Sequence, residues 1–186
     1  IAEIEKSVGG KRDALVLYDI ATQFLFCQPV FSRAKDETIQ AIQNFLGPKE
    51  YVKHFYSDAS GELYAAGEAH GLSKDKSTPG RPQSNGVAEN KVKLVLQGSR
   101  TILDHAGLHP SFWSYACQHF CFSHNHTKSI FRGVVRPEPI LSKKLPDSYV
   151  MPPLHPFGCL VDFLPSDVHK KVTLKWGPTS VPGILL

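Results

Sequence analysis

Cysteine is scarce in this chain. Among 186 residues only Cys27, Cys117, Cys121 and Cys159 occur, and no two of them form a CxxC pair. Their neighbours are apolar, as in Leu25-Phe26-Cys27 and Phe120-Cys121-Phe122. They therefore read as reduced core residues of an intracellular protein, not as a disulfide framework. Long apolar runs are lacking too: none approaches the roughly 20 residues that cross a bilayer, which excludes a membrane-spanning helix. A secretory signal peptide is not seen. There is no starting Met, and the chain stops in the apolar run Val181-Pro182-Gly183-Ile184-Leu185-Leu186. Both ends are expected to be cuts through a longer polypeptide.

What is present fits a folded domain. Apolar residues make up 41% and charged residues 20% of the chain, close to the globular average. A core can be buried, and the length suits one domain with a short appendage. The net charge of +4 permits a polyanionic partner without requiring one. The distribution is more telling than the total, because Lys74, Lys76, Arg81, Lys91, Lys93 and Arg100 crowd into one stretch.

Patterning gives the order of elements. Residues 14–19 and 24–30 read as two buried strands joined by a short link, a hairpin. Gly9-Gly10 reads as a turn after an earlier strand. A helix over 36–45, with Ile39, Ile42 and Phe45 on one face, is stopped by Gly47-Pro48. A strand over 51–57 ends at Asp58, and a short helix over 61–70 is closed by Gly71. Breakers fill 77–86, from Pro79-Gly80-Arg81-Pro82 to Asn85-Gly86. A long helix over 87–106 carries Ala88, Val92, Val95, Ser99, Ile102 and Ala106 as a core stripe, with Glu89, Lys93, Gln97, Arg100 and Asp104 beside it on a polar face. Ser111 is expected to cap the next helix. Past Lys128 the chain turns Pro-rich, and short strands are expected at 159–164 and near 181–186. This order indicates an α/β or α+β sheet with packed helices, divided into a core over 1–135 and a Pro-rich segment with short strands over 136–186.

Two carboxylates stand where chemistry is common. Asp58 lies at a strand end, and Glu89 lies in the first turn of a helix behind a Gly/Pro loop. A helix and a loop can fold the second back beside the first. Converging carboxylates suit hard cations such as Mg²⁺, which take oxygen ligands and keep waters and phosphates. A pair of such ions can clamp the attacking and leaving oxygens of a phosphoryl transfer. Plainer roles are open: Asp58 as a turn or cap residue, and Glu89 serving the helix dipole or pairing with Lys93 one turn on. His119, Cys121, His124 and His126 invite a zinc reading, but their spacing matches no standard pattern.

The stretch Ser77-Thr78-Pro79-Gly80-Arg81-Pro82-Gln83-Ser84-Asn85-Gly86-Val87-Ala88-Glu89 closely resembles the end of the integrase catalytic core of copia-type retrotransposons. Tyr56-Ser57-Asp58-Ala59-Ser60-Gly61-Glu62-Leu63 is similar to the segment holding that family's second catalytic Asp. His105-Ala106-Gly107-Leu108 through Ser111-Phe112-Trp113, Pro156-Phe157-Gly158-Cys159 and Val181-Pro182-Gly183-Ile184-Leu185 resemble later landmarks in the same order. The resemblance implies a ribonuclease H-like mixed sheet with flanking helices, and DNA 3′-end processing and strand transfer with Mg²⁺ or Mn²⁺. It implies Asp58 and Glu89 as catalytic metal ligands, and Arg81, Asn85, Lys91, Lys93 and Arg100 as DNA contacts. It also implies element ends and target DNA as partners, self-association, and work in the nucleus after a cytoplasmic particle stage.

The chain departs from the family in three respects. The interval from Asp58 to Glu89 is a few residues shorter than usual. Asn90 stands where a basic residue is common, and Ala59 where a polar one is. The family's first carboxylate is expected just before Ile1, with Glu3, Glu5 and Asp19 as substitutes within the chain. A decayed, non-catalytic domain that only binds nucleic acid is the alternative from another class, and a nuclease of the same fold is a further one.

Overall fold

The computed structural model describes residues 6–46, 55–57, 61, 63, 67, 71, 74–76, 86–126, 128–131, 134–139, 153–164 and 180–186. For 74–76, 128–131 and 134–139 only the backbone enters the description.

The expected hairpin is present. Strands β1 (Asp13–Tyr18) and β2 (Leu25–Val30) pair antiparallel, with Asp13 opposite Val30 and Tyr18 opposite Leu25. Asp19 makes the turn: its carboxylate accepts from the Ala21 N–H at 2.9 Å and from the Thr22 hydroxyl. The Gly9-Gly10 turn precedes the hairpin, with Gly10 at φ 78° donating its N–H to the Ser7 carbonyl at 2.7 Å. Strand alternation then sends side chains to two faces. Leu15, Leu17 and Phe26 face helix α1 (Lys35–Leu46), where Ile42 is buried and Ile39, Phe45 and Phe55 pack around it. Glu37 ties that helix to the end of β2 by accepting from the Phe31 N–H at 2.7 Å and the Ser32 hydroxyl at 2.9 Å.

The opposite face carries Ala14, Val16, Tyr18, Leu25 and Cys27. It is covered by α2 (Gly86–Ala106) and α3 (Trp113–Asn125), which contribute Val95, Cys117 and Cys121. The result is three layers, with one helix below the hairpin and a helix pair above it, the arrangement that lets both faces of a sheet leave water. The three buried cysteines lie in this core and are free thiols, while Cys159 is half-buried. Burial pushes the Cys121 thiol up to about 12, so it stays protonated and inert.

The α2 core stripe follows the expected spacing with one shift. Val95, Ser99 and Leu103 are the buried positions, one helical turn apart, whereas Ala88 is exposed. Leu103 was not on the expected stripe. The start of α3 also differs from expectation. A 3-10 turn over Pro110–Phe112 comes first, capped by the His109 side chain accepting from the Ser111 N–H, and α3 begins at Trp113 without a side-chain cap. Pro110 lacks an N–H and sits at the first position of that turn, where none is needed, which moves the cap upstream of Ser111.

Helices α2 and α3 approach closely at Gly98. A Cβ there would lie 2.0 Å from a ring carbon of Phe120. Gly98→Ala is therefore expected to destabilise the fold by up to about 2 kcal/mol. Overpacking typically costs about 1–3 kcal/mol, only partly offset by the roughly 1 kcal/mol of helix propensity that Ala regains. Denaturant midpoints of the two proteins check this, and an equal or higher midpoint for the variant would mean that Phe120 moves aside freely.

The remaining strands form small sheets. β3 (Phe55–Ser57) pairs in parallel with β4 (Lys74–Lys76), Phe55 opposite Lys74. A parallel pair needs a crossover, and Gly61, Leu63 and Gly67 between them are helical. Gly71, at φ 61°, adopts the left-handed backbone typical of a helix end. β4 was not anticipated: its Lys-Asp-Lys sequence lacks the apolar and β-branched residues that mark a strand. β5 (Lys128–Phe131) and β6 (Val134–Pro139) form an antiparallel pair, so the expected division at 135/136 falls inside β6. β7 (Leu160–Phe163) and β8 (Val181–Ile184) pair antiparallel, Leu160 opposite Ile184. Just ahead of β7, Phe157 is buried against Leu103 and Ala116, seating this part of the chain on α2 and α3. The protein is thus mixed α/β. Among the described residues its strands form four two-stranded sheets, where a single mixed sheet was expected.

Candidate functional site

The described part of the candidate site is the start of α2 beside the end of β1. Glu89, Lys93 and Arg100 are exposed, as are Gln97 and Asp104. At 3.6 residues per turn they share one side of α2, which is the polar face read from the sequence. Lys91 is placed differently. It is half-buried, with its ammonium 4.1 Å from the centroid of the Tyr18 ring. Burial lowers its pKa below the usual lysine value. On α3, His124 is depressed by burial and then by the positive charge of Lys91. Tyr18 is raised by burial and then by the neighbouring charge of Asp19.

Asp19 follows Tyr18, and its carboxylate caps the hairpin turn. Glu89 lies two residues before Lys91. Each carboxylate is thus near in sequence to one member of the Tyr18–Lys91 contact, and Glu89 is exposed where Lys91 is half-buried. Asp58, Arg81 and Asn85 lie outside the described residues, as do Glu3 and Glu5. Among the described residues no three His, Cys, Asp or Glu side chains converge in a way that could hold a metal ion.

The residues of the zinc reading part company. Cys121 enters the hairpin-facing core, His119 lies against Phe157 with ring centroids 5.2 Å apart, His124 stacks on Phe120, and His126 packs on Phe122. A helix of one residue every 100° cannot bring positions 119, 121, 124 and 126 to one point.

Sequence reasoning missed two features. Tyr18 was read only as part of a strand, and nothing in its surroundings marked it as the partner of Lys91, which lies 73 positions further on. The second is a cavity of about 330 Å³ behind α2 and α3, whose walls include His105, His119, Phe120, His155 and Phe157. Its histidines come from three separate segments, so no local pattern announces it.

No family model matches the chain. Individual relatives do. The chain is 31% identical over 195 residues to the retrovirus-related Pol polyprotein from transposon TNT 1-94 of Nicotiana tabacum, an alignment covering 99% of this chain and 14% of that protein. It is 30% identical over 108 residues to the retrovirus-related Pol polyprotein from transposon RE1 of Arabidopsis thaliana, covering 55% of this chain and 7% of the relative. The corresponding protein from transposon RE2 of the same plant is 25% identical over 116 residues, covering 59% of this chain and 8% of the relative. These relatives define the class, retrotransposon polyproteins. The chain belongs to the retrovirus-related Pol polyproteins of copia-type transposons, and spans a small part of their length. Among the described residues no helix is long and apolar enough to cross a membrane.

Proposed function

We propose that this chain is the integrase catalytic core of such a polyprotein, with a ribonuclease H-like fold, acting on DNA by 3′-end processing and strand transfer. The observation that carries the reading is Glu89: it closes a motif similar to the family's catalytic one, and it stands exposed in the first turn of a helix packed on a hairpin. An exposed carboxylate is the oxygen donor that Mg²⁺ or Mn²⁺ accepts, and Asp58 would be its partner. Such an ion would neutralise charge and activate the attacking oxygen in an in-line displacement. Glu89 and Asp58 would hold it, with a first carboxylate supplied upstream of Ile1. Lys93 and Arg100, on the same exposed face as Glu89, would contact phosphates, which positions DNA without reading its sequence. Asn85 and Arg81 would bring the preceding loop onto the DNA, and work as a homo-oligomer in the nucleus completes the proposal.

The experiment is joining of a labelled DNA end to a plasmid by the parent polypeptide extended upstream. Joining is expected with Mn²⁺ or Mg²⁺ and is expected to vanish with a chelator. A folded protein that binds DNA and joins none with either ion would replace this reading with the non-catalytic domain.

A further inference from the structure

We infer that Tyr18 and Lys91 form a latch that fixes the first turn of α2, and with it Glu89, against the end of β1. Both are positioning residues of the candidate site. The inference rests on the reading of Glu89 given above.

The exposure along α2 shows where such a latch acts. Residues 87 to 90 are all exposed, Val87 to 53%, so the helix overhangs the hairpin at its start. Deep burial begins only at Val95, which is fully inaccessible. Between the overhang and that anchor, Lys91 is the first residue to turn inward to the sheet. It lies two residues beyond Glu89, about 200° round the helix, so Glu89 faces solvent while Lys91 faces the body.

The partner of Lys91 is itself held. Tyr18 ends β1 opposite Leu25, which is fully buried. Leu25 is in turn gripped by the Asn125 amide through both of its backbone groups, at 2.7 and 3.0 Å. The next residue, Asp19, caps the turn. The backbone around Tyr18 is thus held, its side chain packs against the core, and the ammonium sits 4.1 Å from the ring centroid. The ring face of Tyr18 is the contact that the half-buried Lys91 ammonium makes. A cation over a ring is directional, whereas a plain apolar contact at this position would let the overhang swing.

The test is amide hydrogen exchange on the full chain, with strand joining as a second readout. The first four N–H groups of a helix have no intrahelical acceptor. The informative amides are therefore those of Asn90, Lys91, Val92 and Lys93, which bond back to Gly86 through Glu89. Tyr18→Leu and Lys91→Met keep apolar bulk and remove the cation–ring contact. Each is expected to speed exchange of those four amides by about three- to tenfold, the range that a contact of this kind supports. Val95, Cys117 and Cys121 should exchange as before. Tyr18→Phe and Lys91→Arg keep the contact and should restore wild-type exchange. In joining, the first pair should lower kcat with KM little changed, and the second pair should recover it.

Unchanged exchange in Tyr18→Leu and Lys91→Met would overturn the latch. Faster exchange throughout α2 would also overturn it, because the contact would then be ordinary core packing. Local loosening with an unchanged kcat would overturn the positioning role. A wild-type protein that joins no DNA ends would overturn the catalytic reading, and the exchange result would still decide the latch.

Discussion

Glu89→Gln is expected to lower Mn²⁺-dependent strand joining by more than about a hundredfold while leaving the protein folded. The size follows from what the group would do. Removing a side chain that merely supports a metal ligand typically costs about 10–100-fold in affinity or activity, and Glu89 is proposed to be a ligand itself. Gln keeps the shape and the helix propensity but deletes the negative charge that a divalent ion requires. Glu89 is exposed in the first turn of α2, so the substitution opens no cavity and buries no polar group. Its stability cost should be limited to the helix-dipole contribution, about 0.3–1 kcal/mol. Asp58→Asn is expected to give a loss of the same order, and the double variant a loss no greater than either single one, because ligands of one ion act as a unit. Measuring joining rates beside thermal midpoints separates the possibilities. A drop in midpoint with joining intact would mean that Glu89 serves only the dipole, or pairs with Lys93, and would sink the catalytic assignment.

The elements that could be read from the sequence are those whose signals are local and periodic. The hairpin was visible because β1 and β2 are apolar and β-rich and are separated by the short turn that Asp19 caps. Helix α2 was visible because its buried and exposed residues alternate at helical spacing over 21 residues, between a loop of breakers and Gly107 at φ 63°. The polar face carrying Glu89, Lys93 and Arg100 came from the same periodicity. Lys91 shows where that reasoning stops. Its charge and its place among other basic residues pointed to a phosphate contact, whereas the structure lays it over Tyr18. Helical phase alone would have turned it inward, since it is closer in angle to Gly98 than to Lys93. Strand β4 was hidden because Lys-Asp-Lys owes its pairing with β3 to the crossover, not to its own composition. The 3-10 turn before α3 was hidden because His109, a residue seldom singled out as a cap, does the work assigned to Ser111.

Asn125→Ala is expected to destabilise the protein by about 2–4 kcal/mol, a large part of the roughly 5–15 kcal/mol that holds a domain together. Asn125 is 3% exposed at the end of α3. Its Oδ1 accepts from the Leu25 N–H at 3.0 Å, and its Nδ2 donates to the Leu25 carbonyl at 2.7 Å. One side-chain amide thus does for the outer edge of β2 what a neighbouring strand would do. Truncation leaves two buried backbone groups of Leu25 unpaired, each costing about 1–3 kcal/mol, and cancels the bridge between α3 and the hairpin. Asn125→Asp separates the two bonds: the carboxylate can still accept from the N–H but faces the carbonyl with no donor, so it should be at least as damaging as Ala at neutral pH. Protonating that carboxylate supplies a donor, so the variant should regain stability relative to Asn125→Ala as pH falls. A loss below about 0.5 kcal/mol on Asn125→Ala, in urea titrations of both proteins, would mean that water reaches the Leu25 backbone and that the edge of β2 is not sealed by α3. A loss of the expected size would place Asn125 at the base of the same chain of contacts, through Leu25 and Tyr18, on which Lys91 and the overhanging turn of α2 rest.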